Sequence, residues 1–598
     1  MAERLSNLRL LFLASALVLT ACGGSDNNNP PPAPPPGGEV EPPAPPPPPP
    51  PPPPAPPPSS ANVPDISPEV VSAAQKINTD AKVSSILADL RTPESAKSRF
   101  DQLMELVRIA SPSRYEYRMA AEIHRRMVAE WGFSPSEVKT SADGNLPGSD
   151  VQIVDGTPVY NACVEIKGSY SSSPGAQSYK GQFPKILVES HIDVVNPEVL
   201  PPDSNPYQPI RLQSVSLPIV TLPSELDMLP DQLAFNAAGR IVEDSNYAQA
   251  SRWFKDANAA RDGGGVRRYV PGIGDAMGQT SGVLTLAQMM KKHGIQPVYD
   301  IWICGTAGEE GKGNLAGMKQ LYGYNQDRGT GTNPLNFVTN FGNEGGGSIN
   351  FLGSYRFEMK YKAPATPGAD QPSALQAMAA TVAKIADVKT PSELRTDAPK
   401  TTYTVGQVSC EAPAAGSTVV PSCTILVDMR SPLTSTLDEV RASIEPLFQA
   451  GISDENARHG VAEGSAQAVT KELVWFGLRP AHVNQNKSDV AIQAGWQAAQ
   501  VVGVDKLTEL STGAGSLNDN VPAAIGVPTY NWNLASTAGS GGGHAFWEWS
   551  TRGDPEMEVL RIQRAMVAAL TAAGYHAADG TVVPPLAGPI GPRTAEVQ

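Results

Sequence analysis

The chain has no excess of positive charge and, beyond its first residues, no apolar run long enough to cross a membrane. Its formal net charge is −14 at neutral pH. No cluster of lysines and arginines interrupts this acidic excess, so nucleic-acid phosphates would repel the chain. Because a spanning helix needs about 20 consecutive apolar residues, the sequence predicts none in the folded part. The composition therefore argues against a nucleic-acid partner and against a membrane-spanning protein.

Cysteine is also scarce, with five residues in the whole chain. Cys163 and Cys304 lie in apolar runs typical of strands, whereas Cys410 and Cys423 flank a short polar loop. In an exported protein the second pair could form a disulfide. It could equally remain two buried thiols, because a sequence does not give the Cα separation that a bridge requires. Both possibilities stay open from the sequence.

The start of the chain has the pattern of a bacterial export signal. An apolar run from Leu10 to Leu19 ends in Leu19-Thr20-Ala21-Cys22, and it is too short to span a bilayer. A cysteine directly after small residues resembles a lipobox, in which that cysteine is lipidated; an ordinary secretory signal is the alternative. We expect residues 1–21 to be the signal peptide. Lipidated Cys22 would then anchor the protein to the bacterial outer membrane, facing the periplasm or the cell surface.

A segment that cannot form a core follows the signal. Between Pro30 and Pro58 lie 21 of the chain's 58 prolines, with only Gly, Ala, Glu and Val40 between them. Such a segment is a polyproline spacer, and at about 3.1 Å per residue it reaches roughly 90 Å. Binding to an aromatic groove is the alternative role. We predict a lipid-anchored linker over residues 22–65.

The rest of the chain, roughly 530 residues, is too long for one ordinary core and suits two domains. Helices and strands alternate as in an α/β domain over residues 66–352 and again over residues 477–598. Over residues 353–476 the predicted order is strand, helix, two strands, helix, strand. That order resembles the ferredoxin-like α+β arrangement, so we predict a second domain inserted into the first.

Weaker patterns predict an insertion and three helices. Residues 197–269 are rich in prolines and weakly periodic, which indicates an insertion with a helix around residues 248–259. The second helix of the inserted domain is predicted over residues 437–449. Beyond that domain, the next helix is predicted over residues 490–502.

Two adjacent carboxylates follow an apolar strand. The run Ile301–Cys304 ends in small residues and then presents Glu309 and Glu310. Ligands of open α/β sheets collect just beyond the carboxyl ends of such strands. One carboxylate could bind a cation while its neighbour faces a bound water, which is what metal-assisted hydrolysis needs. The alternative is an exposed acidic loop, since charged side chains are mostly solvated.

Two histidines also follow predicted strands. The strand Lys185–Ser190 leads into His191-Ile192-Asp193, and His544 follows a glycine-rich loop with Glu548 nearby. A neutral imidazole is a common zinc ligand, and a nearby carboxylate can hold its other nitrogen. Taken alone, each motif is more often an ordinary structural or loop feature.

Two further carboxylates stand beside predicted elements. Asp275 lies between glycines just ahead of a helix predicted from Ser281 to His293, where it could instead cap that helix. Glu344 follows a predicted strand over residues 336–341. Asp327 competes with Glu344, but it lies in a polar loop.

The order of these motifs, with an α+β insertion ahead of the last histidine, resembles the co-catalytic zinc peptidase and amidohydrolase family, metallopeptidase family 20. The family includes glutamate carboxypeptidase, tripeptidase T, succinyl-diaminopimelate desuccinylase and the aminoacylases. The resemblance covers roughly residues 95–575. It implies a catalytic domain with a mixed, mostly parallel sheet flanked by helices. It also implies that the inserted domain is a lid or dimerisation domain.

The resemblance implies a site with two Zn²⁺ ions, for which Co²⁺ or Mn²⁺ are possible substitutes. His191, Glu344 and a bridging Asp275 would hold one ion. Glu310, His544 and the same Asp275 would hold the other. Two histidines favour zinc over magnesium, because hard oxygen-seeking ions seldom bind imidazole.

The resemblance also implies the catalytic roles. Asp193 would orient His191, and Glu309 would be the general base that takes a proton from a metal-bridging water. The family usually has Asp-x-Lys-Gly where this chain has Asp275-Ala276-Met277-Gly278. It often has a histidine where this chain has Lys362-Ala363-Pro364, and Asn-Val-Ile-Pro where this chain has Thr418-Val419-Val420-Pro421. These positions generally contact substrate, often across a dimer.

We therefore expect an exported zinc metallopeptidase that cleaves small peptides, an exopeptidase of the di- or tripeptidase type. An N-acyl amino acid amidohydrolase of the same fold is the closest alternative. An aminopeptidase of a related family would normally lack the inserted unit. A non-catalytic binding lipoprotein is the alternative from a different class. A homodimer through residues 353–476 is a further expectation.

Overall fold

The structure is a computed structural model, and every structural statement below concerns the residues that it describes. The predicted signal peptide, nearly all of the predicted linker, the helix predicted around residues 248–259, and Asp327 lie outside them. The described residues are 62–109, 111–140, 159–195, 220–222, 267–269, 272–326, 329–364, 370–411, 419–484, 486–535, 537–541, 543–544 and 548–588.

The helices begin where the sequence supplies caps. Ser67, Thr92 and Asp554 each accept a hydrogen bond from a main-chain N–H of the following turn, and each precedes a proline at the start of its helix. The helices are α1 (Pro68–Asn78), α2 (Ala81–Leu90), α3 (Pro93–Leu106), α4 (Tyr117–Ala129), α5 (Gly278–Lys292), α6 (Ala316–Tyr322), α7 (Ala374–Ile385), α8 (Pro391–Leu394), α9 (Thr434–Arg458), α10 (Val490–Val502), α11 (Asn520–Ala524) and α12 (Pro555–Ala573).

The described strands form several sheets, and the two largest units are built on the main sheet and on the sheet of the inserted segment. In chain order the strands are β1 (Val138–Thr140), β2 (Ala162–Ile166), β3 (Lys185–His191), β4 (Val220–Leu222), β5 (Arg267–Tyr269), β6 (Asp300–Thr306), β7 (Tyr324–Asn325), β8 (Thr330–Gly331), β9 (Phe337–Gly342), β10 (Ser348–Phe351), β11 (Gly353–Lys362), β12 (Thr402–Cys410), β13 (Ser422–Ser431), β14 (Thr470–Arg479), β15 (Ser511–Gly515), β16 (Thr529–Asn531), β17 (Thr537–Gly541), β18 (Trp549–Arg552), β19 (Tyr575–His576) and β20 (Val582–Val583).

The main sheet has the order β1-β2-β6-β3-β9-β16. Strands β6, β3, β9 and β16 run parallel to one another, and β2 is antiparallel to both of its neighbours, β1 and β6. Both faces are covered, because Ile301 and Ile303 of β6 pack in one hydrophobic cluster while Trp302 packs in another. The prediction of a mixed, mostly parallel sheet flanked by helices is confirmed. The carboxyl ends of β3, β6 and β9 consequently share one edge.

The second unit is an antiparallel sheet of order β12-β13-β11-β14. Helices α7 and α9 contact it, and a separate hydrophobic cluster fills the space between the helices and the sheet. The order of elements along the chain and across the sheet is the ferredoxin-like one that the sequence predicted. Strand β14 continues past residue 476 to Arg479. The domain boundaries themselves stay a prediction.

A smaller sheet of order β17-β18-β5-β4 contains the described parts of the segment predicted as an insertion over residues 197–269. Because His544 follows β17, this sheet supports the loop that carries that histidine. Within the described part of the chain, no helix combines the length and the apolar character needed to cross a membrane.

Two disulfides connect neighbouring strands. Cys410 and Cys423 are bonded across β12 and β13, so of the two possibilities left open by the sequence the buried-thiol one is wrong. Cys163 and Cys304 are bonded across β2 and β6, a pair that the sequence did not predict. These two cysteines lie far apart along the chain, and only the sheet order makes them direct cross-strand neighbours.

Candidate metal centre

Asp275 lies between the two candidate histidine ligands. Its Oδ1 atom is 3.1 Å from Nε2 of His191, and its Oδ2 atom is 3.2 Å from Nε2 of His544. Burial opposes ionisation, but hydrogen bonds from both imidazoles hold the pKa of Asp275 below its usual range. The side chain makes no capping bond to α5, so the capping alternative is wrong. A carboxylate with one oxygen toward each imidazole is suited to bridge two cations.

One candidate ligand group consists of Asp275, Glu310 and His544. Their ligand atoms lie within 4.8 Å of one another, and Oε1 of Glu310 is 3.1 Å from Nε2 of His544. Burial, with the nearby charges of Glu309 and Asp275, raises the pKa of Glu310 to about 7. Hydrogen bonds to Asp275 and Glu310 raise the pKa of His544 to about 10. The structure therefore concentrates negative charge around an imidazole nitrogen.

His191 is fixed at the end of β3. Its Nδ1–H donates to the main-chain oxygen of Asp193 at 3.0 Å, whereas the Asp193 carboxylate oxygen is 3.4 Å away. A neutral His191 then has its lone pair on Nε2, which faces Oδ1 of Asp275. Two acceptors that face each other need a cation or a proton between them. The role of Asp193 in orienting His191 stays a prediction. The contact that would orient the imidazole is the one to the main-chain oxygen of Asp193.

The Asp193 carboxylate holds the loop after β6. It accepts hydrogen bonds from the main-chain N–H groups of Glu309 at 2.9 Å and of Glu310 at 2.8 Å. Ser113 donates its hydroxyl to the same carboxylate at 2.5 Å and to the main-chain oxygen of Glu310 at 2.9 Å. The positions of the two consecutive glutamates are therefore set by one buried carboxylate.

Glu309 lies beside this centre but has a different main partner. One of its carboxylate oxygens and one potential ligand atom each of His191 and Glu310 lie within 4.8 Å of one another. Its Oε1 atom accepts a hydrogen bond from Nη1 of Arg479 at 2.8 Å. Glu309 and Glu310 are both buried, so the exposed acidic loop considered from the sequence is wrong.

Glu344 follows β9, on the edge where β3 and β6 also end. It belongs to neither of the two ligand groups found among the described residues. Instead, the Nδ2 group of Asn518 donates to its Oε1 at 2.9 Å. The same Nδ2 group lies 2.8 Å from Oε2 of Glu189 and 2.8 Å from the hydroxyl of Thr306. Asn518 therefore connects Glu344 to β3 and β6.

Glu548 is a supporting residue whose role the sequence did not reveal. Its Oε1 accepts hydrogen bonds from the main-chain N–H groups of Gly274 at 2.6 Å and Asp275 at 2.8 Å, and its Oε2 accepts one from Gly272 at 2.7 Å. Glu548 is 2% exposed. Burial and the charge of Asp275 raise the pKa of Glu548 to about 8. Its carboxylate holds the loop that presents Asp275.

The centre lines a cavity of about 480 Å³. The same cavity is also lined by Arg356, Arg430 and Arg479 from the inserted sheet. Burial, together with the charges of Arg479 and Arg430, lowers the pKa of Arg356 to about 10. The cavity thus contains both carboxylates, which suit cations, and guanidinium groups, which suit an anionic group.

The donor set fits divalent transition-metal ions. Two imidazole nitrogens and several carboxylates converge, and both Nε2 atoms already face carboxylate oxygens at 3.1–3.2 Å. Mixed imidazole and carboxylate ligands are typical of zinc sites. Of the predicted ligands, the structure brings His191, Asp275, Glu310 and His544 directly together. Glu344 lies outside both ligand groups, but it lines the same cavity, and its charge contributes to the raised pKa of His191.

No family model matches the chain, and no curated protein matches its sequence. Solved structures do match. A tripeptidase from Staphylococcus aureus is 14% identical with a TM-score of 0.47, over 79% of this chain and 97% of that chain. Aminopeptidase PepT from Bacillus cereus is 14% identical with a TM-score of 0.45, over 79% and 97%. A dinuclear metal binding peptidase of the M20 family from Bacillus subtilis is 11% identical with a TM-score of 0.42, over 80% and 98%. These are peptidases of the kind that the motif order resembles.

Proposed function

We propose that this protein is a metal-dependent hydrolase that cleaves amide bonds of small peptides, as an exopeptidase of the di- or tripeptidase type. The observation that carries the proposal is the position of Asp275 between His191 and His544. Glu310 stands at the same imidazole as Asp275, and Glu309 stands beside them. This arrangement supplies ligands for two cations and a neighbouring carboxylate for proton transfer.

The distances support His191, Asp275, Glu310 and His544 as ligands, and the resemblance supplies Glu344. His191, Asp275 and Glu344 would hold one Zn²⁺ ion, and Asp275, Glu310 and His544 the other. When bound, the two ions would supply Lewis acidity to the scissile carbonyl and lower the pKa of water. Co²⁺ and Mn²⁺ are possible substitutes, since imidazole and carboxylate ligands also suit them.

Glu309 is the proposed general base. As a water oxygen attacks the carbonyl carbon, Glu309 accepts the water proton. It then gives this proton to the amide nitrogen as the carbon–nitrogen bond breaks, which releases a carboxylic acid and an amine. The loop is suited to this task, because Asp193 accepts hydrogen bonds from the N–H groups of the two peptide bonds that flank Cα of Glu309.

The arginines support a substrate with a free carboxylate. Arg356 and Arg430 lie on the cavity wall formed by the inserted sheet, and both bond to Asp428. Guanidinium groups bind carboxylates in a charge-assisted, bidentate way. A small peptide ending in a carboxylate has the required group beside its scissile amide. An N-acyl amino acid has it too, so an N-acyl amino acid amidohydrolase is the second candidate.

The test is metal analysis of the purified protein followed by a substrate panel. The panel contains dipeptides, tripeptides and N-acetyl amino acids, each paired with its C-terminally amidated counterpart. We expect about two zinc ions per chain and hydrolysis of peptides that falls strongly on amidation. Faster hydrolysis of N-acetyl amino acids would favour the second candidate. Bound zinc without hydrolysis of any member would instead favour a binding lipoprotein.

The location is proposed from the sequence. We propose export, lipidation at Cys22 and anchoring to the bacterial outer membrane, with the polyproline linker holding the enzyme away from the bilayer. A homodimer through residues 353–476 is proposed on the resemblance alone. In a bacterial host, the variant Cys22→Ser should move the protein from the membrane fraction to the soluble fraction. Unchanged fractionation would contradict the lipid anchor.

A further inference from the structure

Arg479 is the last residue of β14 and brings the inserted sheet into contact with the proposed general base. Its Nη1 donates to Oε1 of Glu309 at 2.8 Å, and its Nη2 donates to the main-chain oxygen of the same residue. Nη1 also contacts the main-chain oxygen and the hydroxyl of Ser516, at 3.4 and 3.2 Å. The Arg479 side chain is 2% exposed and that of Glu309 is 7% exposed. The contact is therefore a buried ion pair with two points of attachment.

Two attachments to one residue fix more than a charge. The bond to the main-chain oxygen sets where residue 309 lies, and the bond to Oε1 sets the direction of its side chain. Together with the Asp193 bond to the N–H of Glu309, they hold both the main chain and the side chain of the base. Among the described residues none donates a hydrogen bond to the second carboxylate oxygen, Oε2, so this oxygen is the one left for proton transfer. A buried carboxylate also needs such a cation, because an unpaired buried charge is strongly disfavoured.

The three cavity arginines differ in what they bind. Arg430 donates to both oxygens of Asp428 at 2.8 and 2.9 Å. Arg356 donates to Asp428 at 3.3 Å and to the main-chain oxygen of Gly311 at 3.1 Å. Arg479 is the one of the three that bonds to Glu309 within the described structure. The partners thus separate one arginine, directed at the base, from two that share an acidic partner on the sheet.

We propose that Arg479 is a positioning residue for Glu309, through which the inserted sheet sets the geometry of the general base. The inference rests on the proposed function. If Arg479 acts through Glu309, removing it should slow the chemical step while metal binding and substrate affinity are kept. A misplaced catalytic group typically costs on the order of 10² in rate.

The first test uses Arg479→Ala and Arg479→Lys in the full chain, with the best peptide of the panel as substrate. We expect kcat of Arg479→Ala to fall on the order of 10²-fold, with unchanged zinc content and little change in KM. Arg479→Lys should retain more activity, since it keeps the charge but not the two-point contact. Added guanidinium chloride, at concentrations well below those that unfold the protein, should restore part of the kcat of Arg479→Ala.

Arg395→Ala is the matched control. Arg395 is also on the inserted unit, but it pairs with Glu439 on the surface, where both side chains are more than 40% exposed. This variant should keep the parent kcat and gain nothing from guanidinium. A kcat for Arg479→Ala equal to that of the parent would overturn the proposal. A raised KM with unchanged kcat would also overturn it, because Arg479 would then be a substrate ligand. Loss of zinc in proportion to the loss of activity would overturn it as well.

A second test needs no turnover. Urea unfolding of the metal-free protein is compared for Arg479→Ala, Glu309→Gln and the double variant. Because each single change leaves a buried partner without its mate, we expect the double variant to unfold at a midpoint no lower than the worse single variant. Additive shifts would overturn the coupling. If the unmodified protein hydrolyses no panel member, the proposed function fails and the positioning role fails with it, whereas non-additive midpoints would still establish the ion pair.

Discussion

The carboxylate of Glu548 should control how tightly the centre binds zinc, although it is not a ligand. In the variant Glu548→Gln one oxygen remains and can still accept the hydrogen bonds from the N–H groups of Gly274 and Asp275. The new amide N–H₂ group then faces the N–H of Gly272, which was 2.7 Å from the lost oxygen. Leaving a buried donor unpaired costs about 1–3 kcal/mol. If this whole free-energy cost destabilises the loop conformation that would hold the ion, zinc binding weakens about 5- to 150-fold.

The assay is a competition for zinc between the protein and a chelator of known affinity at constant pH. Glu548→Ala should weaken binding further, because all three N–H groups of the loop lose their acceptor. Glu556→Gln is the matched control. Glu556 is also a carboxylate in an ion pair, with Arg91, but that pair is close to half exposed. Zinc affinity of Glu548→Gln within a factor of two of the parent would refute the reasoning that this carboxylate holds Asp275 in place.

Three further outcomes are expected. Glu309→Gln should keep its zinc and lose activity by a factor on the order of 10²–10⁴; retained turnover in the substrate assay would remove Glu309 from the role of base. His544→Ala should lower zinc content as measured by elemental analysis, because the imidazole faces both Asp275 and Glu310, and full zinc occupancy would contradict its assignment. Thiol titration of the unfolded, unreduced protein should detect no free thiol among the two bonded pairs, and four reactive thiols would contradict both bridges.

Most of the fold was predictable from local patterns in the sequence. The apolar runs that became β3, β6 and β9 are continuous because both of their faces are covered, and such runs are recognisable without a structure. Helix α10 was predicted with the bounds that it has. Helix α9 was predicted too short, ending at residue 449 rather than at Arg458, since tertiary packing extends a helix beyond its clear periodic region.

The candidate ligands were recognisable for a related reason. His191, Glu310 and Glu344 each follow a predicted strand, so parallel strands alone place them at one edge. Asp275 was ambiguous, because an aspartate ahead of a helix is usually a cap and only the facing histidines exclude that role here. The supporting residues had no such local signal.

Arg479, Asn518 and Glu548 became part of the site by tertiary contact. Arg479 ends a strand of the inserted sheet, Asn518 precedes a short helix, and Glu548 lies just ahead of β18. None belongs to a motif whose spacing implies its partner. Each meets a residue more than 150 positions away along the chain, namely Glu309, Glu344 and Asp275. Contacts of that kind depend on the packing of whole units, which one sequence does not specify.

The same contacts explain how two consecutive glutamates come to serve different purposes. Asp193 holds both of their N–H groups, so the main chain through the pair is fixed and neither side chain can move by shifting the loop. From that fixed main chain, Glu310 reaches His544 at 3.1 Å and Glu309 reaches Arg479 at 2.8 Å. One partner is a candidate metal ligand and the other a permanent cation. The difference in partners, rather than any difference between the two carboxylates, therefore supports the proposal that Glu310 binds metal and Glu309 transfers the proton.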